Sequence, residues 1–346
     1  MKLKLGTAIG LPVYMNTENQ LNGSMAFFGV SGSGKTVLAQ KVMTQIVSHG
    51  GTVVALDFHG NLTNDQIFEE CKATINRFRN DVYADENGMP CDLFEALQLS
   101  NGRNETESEV IGSIVNTLGM AYGLGIQQKR ALKTAVTTVF NDKEYVAKDI
   151  SAIGEVLKKC DEPHAKSAYE RMETLFDRNL FVSGDGMIIP NKINFIHLSC
   201  GMDTSLQDAA VGLLLAWFWR RGSAGLHRNN PIYVFVDECQ NIRHGPKDAL
   251  SMLLSEGRKM GINLLLATQD IKDCSPAIEA RITQCAVMAY FKPKSDAIYR
   301  TAKMISPSEY KSWIPELEKL RRGEFIATGN LLVGNVEYDH PVRVTG

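Results

Sequence analysis

Hydrophobic residues follow two patterns along the chain. Short, continuous apolar runs occur at 25–30, 52–56, 193–198, 232–236, 262–267 and 285–291, which is typical of parallel strands that are buried on both faces. Between these runs, apolar residues recur at helical spacing at 36–47, 204–221, 247–260 and 295–304. Strands that alternate with helices in this way predict βαβ units, and therefore an α/β fold with a mostly parallel sheet.

The middle and the two ends of the chain depart from this alternation. Residues 61–189 are more polar and carry helical patterns at 105–122, 126–141, 149–159 and 165–178, so this segment is predicted to be a helical insertion or subdomain. The core is then expected to comprise 1–60 and 190–346. Residues 1–24 and 323–344 mix glycine with short apolar stretches, which predicts terminal β-hairpins.

Composition excludes a disordered, a collagen-like and a low-complexity protein. With 346 residues, 44% hydrophobic and 22% charged, the chain can form two domains or one enlarged domain with a sizeable core. The formal charge of -2 does not indicate any class of binding partner. No cysteine or histidine pair has the spacing of a zinc site, so any metal is expected to be bound by oxygen atoms. The longest apolar run, 209–219, is 11 residues long, whereas a bilayer span needs about 20. Because the start also lacks a secretion signal, we expect a cytoplasmic protein without a membrane span.

The first apolar run leads into a glycine-rich segment. GVSGSGKT, residues 29–36, fits the pattern G-x-x-x-x-G-K-[ST] and lies between a predicted strand and a predicted helix, the context of a P-loop. In a P-loop, backbone N–H groups face the phosphates, Lys35 adds charge at the β and γ positions, and Thr36 offers a hydroxyl to Mg²⁺. A purely structural turn is the alternative, which the Lys-Thr pair disfavours. The residues predicted to bind the nucleotide are Gly29, Ser31, Gly32, Ser33, Gly34, Lys35, Thr36 and Val37.

Two adjacent carboxylates follow the strand predicted at 232–236. Asp237 and Glu238 lie beside the core, where uncompensated negative charge is costly unless a cation is near. We expect Asp237 to hold Mg²⁺ and Glu238 to orient or deprotonate water, which favours nucleotide hydrolysis over transfer to an acceptor by a kinase. The alternative is that both residues simply begin a solvent-exposed loop.

A polar amide follows the strand predicted at 262–267. Gln269 is expected to lie beside the strand that carries Asp237, where it can bond both the γ-phosphate and water. An amide in that position reports the state of the nucleotide to the rest of the chain. A glutamine that caps a loop is the alternative.

Three further segments accompany GVSGSGKT, namely IYVFVDECQN, SEGRKMGINLLLATQD and IPELEKLRRGEFIATG. Together they resemble the FtsK/HerA superfamily of ring-forming, DNA-pumping ATPases. ALDFHGN, after the second strand, is similar to the acidic-glycine segment of the HerA-like and conjugation (type IV secretion) branch. The resemblance covers roughly residues 5 to 345, and it implies a RecA-like core that binds ATP and Mg²⁺, with a helical insertion where this branch carries one.

The resemblance also implies roles for single residues. It places phosphate and magnesium contacts on Lys35, Thr36 and Asp237, the catalytic base on Glu238 and the sensor on Gln269. Arg258 is the candidate for an arginine that reaches the γ-phosphate of a neighbouring subunit. Arg281 is the alternate, and Lys259 is a weaker candidate. The other interpretation of Arg258 is an arginine that only interacts favourably with the dipole at the end of its helix.

The partners implied by the resemblance are identical subunits in a ring, with a hexamer expected, and DNA contacted through its backbone. Residues 241–322 contain 14 Lys and Arg against 9 Asp and Glu. Within them, Arg243, His244 and Lys247 form a loop that is expected to line a pore and contact phosphates. A solvated charged loop is the alternative.

The sequence is compatible with two other functions. One is a conjugation or type IV secretion ATPase that energises protein partners, with secretion proteins or a nuclease as candidates. The other is an assembly scaffold that is gated by ATP and hydrolyses it slowly. About 28 residues precede the P-loop, too few for the N-terminal barrel or membrane-anchored domain of many relatives. We therefore expect a bare motor domain or one component of a larger machine.

Overall fold

The computed structural model describes residues 1–346 except 19, 21, 59, 143, 144, 146, 147, 185, 199–201, 243–247 and 270–275, and at 241 and 276–278 it describes the backbone alone. Within these residues the strands are β1 (Lys2–Ala8), β2 (Leu11–Asn16), β3 (Met25–Phe28), β4 (Thr52–Asp57), β5 (Arg79–Tyr83), β6 (Met89–Pro90), β7 (Phe181–Val182), β8 (Ile193–His197), β9 (Ile232–Val236), β10 (Ile262–Thr268), β11 (Val287–Tyr290), β12 (Glu324–Gly329), β13 (Leu331–Val333), β14 (Val336–Tyr338) and β15 (Val342–Thr345).

The helices connect these strands. They are α1 (Lys35–Ser48), α2 (Glu69–Phe78), α3 (Ala84–Asn87), α4 (Glu107–Ala121), α5 (Ile126–Asn141), α6 (Ile150–Lys159), α7 (Pro163–Arg178), α8 (Thr204–Ser223), α9 (Ala249–Glu256), α10 (Pro276–Ile282), α11 (Ile298–Ile305) and α12 (Tyr310–Glu318). Single 3₁₀ turns occur at Asn64–Gln66, Cys239–Asn241, Gly257–Met260 and Ser295–Ala297. In the described part of the chain, no helix is both long and apolar enough to cross a lipid bilayer.

Thirteen strands form one sheet, in the order β14-β13-β2-β1-β15-β12-β11-β3-β10-β9-β4-β8-β5. From β11 to β5 all neighbouring strands are parallel. From β14 to β11 all neighbours are antiparallel. The α/β class with a parallel core is therefore confirmed, and the terminal hairpins extend that same sheet.

Side chains of the central strands alternate between two hydrophobic clusters. On β3, Ala26 and Phe28 face a cluster that includes α4–α8, whereas Met25 and Phe27 face a cluster that includes α1. This alternation is the two-residue period of a strand. Because helices cover both faces of the parallel part, these strands have no polar face, and they appear in the sequence as unbroken apolar runs.

The middle segment differs from a purely helical insertion, because it contributes strands as well. Its β6 and β7 pair in parallel as a separate two-stranded sheet. Helices α4–α7 lie close to the predicted positions, but the segment also contributes β5, which pairs in parallel with β8 at the end of the main sheet. The β5 sequence, RNDVY, is polar, and its side chains are half-buried or exposed. An edge strand with a solvated side does not need an apolar run, so hydrophobic patterning does not detect β5.

The parallel strands place their polar ends together. β3, β10, β9, β4 and β8 run in the same direction, so their carboxyl ends meet at one edge of the sheet, here called the carboxyl edge. The glycine-rich loop follows β3, and Gln269, Asp237, Asp57 and His197 lie at or just after the ends of the next four strands. In open α/β sheets this is the edge where ligands bind.

Candidate nucleotide-binding site

Close contacts with neighbouring segments require glycine at two positions of the loop between β3 and α1. Gly29 has a φ of 146°, and a Cβ there would lie 2.7 Å from the Cβ of Phe291. Gly34 has a φ of 117°, and its Cβ would lie 3.2 Å from the Cα of Gly323. A side chain at either position would push the loop away from the strands that support it. This explains the first and last glycines of GVSGSGKT.

Lys35 lies inside the loop, close to the two carboxylates. Its buried Nζ donates hydrogen bonds to the carbonyl oxygens of Gly29, at 2.7 Å, and Val30, at 3.2 Å. Burial lowers the pKa of the Lys35 ammonium, and the nearby charges of Glu238 and Asp237 oppose that shift. The structure therefore brings Lys35 close to a pair of adjacent carboxylates that lies about 200 residues later in the sequence.

The start of α1 is open to an anion. Its N-cap is Gly34, which has no side chain to bond the first N–H groups, and its first turn contains no acidic residue. The first N–H groups of a helix have no partner within the helix, and they carry a partial positive charge. The arrangement fits a phosphate group, since such N–H groups point at a bound anion.

The remaining predicted loop residues differ in exposure. Residues 31 and 32 are exposed, and 36 and 37 are half-buried. Ser33 is buried, and its Oγ donates to the carbonyl oxygen of Val30 at 2.7 Å. Ser33 therefore shapes the loop, whereas the other positions leave room for a ligand.

Glu238 adopts an unusual backbone conformation at the end of β9. Its φ of 48° lies in the left-handed region, which non-glycine residues enter at a cost of about 1 kcal/mol or more. Its N–H donates to Oδ1 of the buried Asp237 at 3.0 Å. This turn lies where β9 reaches the carboxyl edge.

Two glutamine amides hold the Glu238 carboxylate. Nε2 of Gln269 donates to Oε1 at 2.7 Å, and Nε2 of Gln240 donates to Oε2 at 2.6 Å. Gln269 is predicted to lie next to the strand of Asp237, and its amide does lie there. Gln240 is not predicted to belong to the site, although the second residue after adjacent carboxylates is close enough along the chain to fold back onto them.

Arg258 lies far from this site within the chain. It is exposed on the 3₁₀ turn before β10, at the opposite end of that strand from Gln269. β10 has seven residues, which separates the two ends by about 20 Å at roughly 3.3 Å per residue. Arg281, the alternate, is half-buried in the last turn of α10.

A buried histidine between two carboxylates extends the carboxyl edge beyond the P-loop. Nδ1 of His197 lies 3.2 Å from Oδ2 of Asp57, and Nε2 lies 2.7 Å from Oδ1 of Asp81. The Asp57 carboxylate also accepts hydrogen bonds from the backbone N–H groups of residues 61 and 62. Because Leu56 pairs with Val236, this network lies beside Asp237. Its members are too far apart in sequence for any motif to link them.

The network favours a protonated imidazole. Burial disfavours the charge, but the hydrogen bonds and charges of Asp57 and Asp81 outweigh it, so the pKa of His197 lies above 6.5. The pKa of each aspartate is lowered: burial opposes the shift, but hydrogen bonds, from His197 to both and from Arg79 to Asp81, outweigh it. A raised histidine pKa stabilises the fold at low pH, and that contribution is lost as pH rises through the folded-state value.

Replacing His197 with glutamine is expected to lower the free energy of unfolding by about 2 kcal/mol near pH 6, because the buried Asp57 carboxylate loses its cation, whereas the half-buried Asp81 keeps Arg79. The loss should be smaller near pH 9 than near pH 6, because the stability that a charged His197 contributes declines as pH rises through its raised pKa. Denaturant unfolding at both pH values measures the difference. His340→Gln, at an exposed histidine, is the control. An equal loss at both pH values would contradict a charged His197.

Comparison with known proteins agrees with this arrangement. A family model described as Helicase HerA, central domain, matches residues 3–216. The DNA double-strand break repair helicase HerA of Sulfolobus acidocaldarius is 24% identical over an alignment 357 residues long. The alignment covers 95% of this chain and 67% of that protein. HerA of Sulfurisphaera tokodaii is 21% identical over 356 residues, with the same coverage.

Solved structures share the fold. VirB4 of Thermoanaerobacter pseudethanolicus superposes with a TM-score of 0.72 at 14% identity, over 99% of this chain and 95% of that one. The plasmid coupling protein TrwB in complex with ADP and Mg²⁺ gives a TM-score of 0.61 at 15% identity, over 100% and 89%.

The parallel core and the P-loop at its carboxyl edge define a P-loop NTPase fold. The family model matches more than half of the sequence, so the chain belongs to the HerA central-domain family. The resemblance to the FtsK/HerA superfamily is thereby confirmed.

Proposed function

We propose that this chain is a Mg²⁺-dependent ATPase that works as a ring and moves DNA. The observation that carries the proposal is the Glu238 carboxylate, which two amides hold beside Lys35 at the carboxyl edge. A P-loop alone supports nucleotide binding. A carboxylate fixed next to it also supports hydrolysis, because it can orient a water molecule and accept its proton.

In this proposal the loop binds the β- and γ-phosphates of ATP. Backbone N–H groups of the loop and of the first turn of α1 face the phosphates. Lys35 now donates to two loop carbonyls, and its ammonium moves to phosphate oxygens when ATP binds. The hydroxyl of Thr36 and the carboxylate of Asp237 are oxygen donors that fit Mg²⁺. Bound there, Mg²⁺ neutralises charge on the phosphates.

Glu238 then prepares the attacking water. Each of its oxygens accepts one amide hydrogen bond and keeps a further lone pair for water. The water oxygen attacks the γ-phosphorus, the bond from that phosphorus to the bridging oxygen breaks, and Glu238 accepts the water proton. ADP and inorganic phosphate are the products. Gln269 donates a hydrogen bond to Glu238. Loss of the γ-phosphate can therefore change the position of Gln269 at the end of β10.

Arg258 completes the site of a neighbouring subunit. Its position at the far end of β10 rules out a contact with the ATP of its own subunit, and its exposure leaves it accessible to a second copy. A ring, with six subunits proposed, lets every Arg258 face the γ-phosphate of the next subunit. Hydrolysis in one subunit is then linked to the position of its neighbour.

DNA is the proposed substrate of the motor, and the cytoplasm its proposed location. The support is membership of the HerA family together with the surplus of five basic residues between 241 and 322. Arg243, His244 and Lys247, the expected pore loop, lie outside the described residues. Their contact with the DNA backbone remains part of the proposal.

Double-stranded DNA is expected to raise the steady-state rate of ATP hydrolysis at least several-fold, with a cooperative dependence on protein concentration, because each site needs a neighbouring arginine. The measurement is phosphate release by the purified protein with and without DNA. Increasing salt should weaken the stimulation, since backbone contacts release counterions. Turnover that needs a partner protein instead of DNA would contradict the proposal and favour a secretion ATPase. Turnover that stays low under all conditions would favour an ATP-gated scaffold.

A further inference from the structure

A tight turn leads from α12 to β12 and carries two adjacent arginines. Residues 321–324, here called the arginine turn, are closed by a hydrogen bond from the N–H of Glu324 to the carbonyl oxygen of Arg321, at 3.0 Å. The Glu324 carboxylate accepts the N–H of Arg321 at 2.9 Å and a hydrogen bond from Arg343 at 2.8 Å. The backbone of the arginine turn is therefore held rigidly.

The arginine turn packs directly against the P-loop. The N–H of Gly323 donates to the carbonyl oxygen of Ser33 at 2.9 Å. A Cβ on Gly34 would lie 3.2 Å from both the Cα and the N of Gly323, so the two backbones are in close contact. The turn thus forms a wall of the loop that is proposed to bind phosphates.

This wall lies on the side of the loop that faces away from the carboxylates. β10 and β9, which precede Gln269 and Glu238, are on one side of β3, whereas β11 and β12 are on the other. An ATP molecule whose γ-phosphate faces Glu238 spans the P-loop with its phosphate chain. Its ribose and base then emerge on the β11 side, beside the arginine turn.

The two arginine side chains are available for a ligand. Arg321 and Arg322 are exposed, and within the described residues neither guanidinium makes a hydrogen bond or an ion pair. A guanidinium group is planar and carries several donors, so it can stack on an aromatic base and bond ribose hydroxyls. A rigid turn with two such groups, at the base end of a nucleotide site, is suited to recognise the nucleoside.

We propose that the arginine turn binds the base and ribose of the nucleotide in the same subunit, through Arg321 and Arg322. The inference rests on the proposed function, because it presupposes that the P-loop holds ATP. It assigns to a segment about 285 residues after the P-loop lysine a part in selecting nucleotides over other phosphate compounds. The proposed roles of the arginines therefore differ. Arg321 and Arg322 bind the nucleotide of their own subunit, whereas Arg258 contacts the γ-phosphate of a neighbouring subunit.

The test compares ATP with inorganic tripolyphosphate, which has the phosphate chain but no nucleoside. For the double variant Arg321→Ala/Arg322→Ala, the Kd for Mg-ATP is expected to rise about tenfold. The Kd for Mg-tripolyphosphate should stay within about twofold of wild type. Displacement of a fluorescent ATP analogue measures both constants. Lys319→Ala, at an exposed cation just before the turn, is the matched control and should change neither.

A second variant tests for the planar group. Arg321→Lys/Arg322→Lys keeps both charges but cannot stack as a guanidinium does, so its Kd for ATP should lie between those of wild type and the alanine variant. Thermal unfolding confirms that each variant is folded. Equal losses for ATP and tripolyphosphate would overturn the inference, because the turn would then contact the phosphate chain. Unchanged affinity for both would overturn it as well.

The failure of the proposed function has a different signature. Lys35→Ala is expected to weaken both ATP and tripolyphosphate, because Lys35 serves the phosphates. If the wild type bound neither compound, or if Lys35→Ala changed nothing, the nucleotide site itself would be wrong. If Lys35→Ala weakens both compounds but the arginine variants bind ATP as the wild type does, only the inference about the arginine turn fails.

Discussion

Replacing Glu238 with glutamine is expected to reduce ATP hydrolysis by a factor of about 10² to 10⁴, the usual contribution of a general base, while ATP binding is retained. Glutamine keeps the size of the side chain, but its amide cannot accept the proton of the attacking water. Single-turnover hydrolysis measures the chemical step, and displacement of a fluorescent ATP analogue measures binding.

The matched control is Glu155→Gln, which removes an exposed carboxylate from α6 and should leave both quantities unchanged. Because Glu238 accepts hydrogen bonds from two amides, the variant must also be shown to be folded, by its thermal unfolding. Hydrolysis within about threefold of wild type would rule out Glu238 as the base. It would also remove the main support for an ATPase as opposed to a scaffold.

Replacing Arg258 with alanine is expected to lower turnover of the assembled protein by a factor of about 10³ or more, since an arginine supplied in trans can contribute 10³ to 10⁵. Nucleotide binding should not change, because Arg258 lies at the opposite end of β10 from the P-loop. Lys166→Ala, at an exposed cation on α7, is the control.

Mixing two inactive variants separates a role in trans from a structural one. A subunit with Arg258→Ala has an intact base, and a neighbour with Glu238→Gln has an intact arginine. Where the second abuts the first, one complete site forms, so mixtures should regain turnover that neither variant shows alone. The absence of rescue at every mixing ratio would argue against a contact between subunits.

The parts of the fold that sequence analysis predicted share one physical property. β4, β9 and β10 are buried on both faces, so burial acts on every one of their residues and leaves an apolar run that is visible without a structure. The P-loop is visible for a similar reason. Close backbone contacts at Gly29 and Gly34 exclude any side chain, so geometry fixes the residue type at those positions.

The parts that sequence analysis missed depend on contacts between distant segments. α12 contains a proline, Pro315, and β5 is polar, so neither shows a clear period. The network of Asp57, His197 and Asp81 forms only when β4, β8 and β5 align, and no spacing along the chain encodes that alignment. Arg321 and Arg322 belong to a segment that marks the family resemblance, but their proximity to the P-loop emerges only from the fold.

The order of strands in the sheet has a consequence for how the chain folds. β1 lies between β2 and β15, and β3 lies between β10 and β11. β15 is translated much later than β1, and β10 and β11 are translated much later than β3. Until then the open edges of β1 and β3 can pair with other nascent chains. Pairing of such distant segments also slows folding, because the loops must close before the contacts form. We therefore expect the P-loop to take its final shape late, and a molecular chaperone that shields β1 and β3 during translation to raise the yield of active protein.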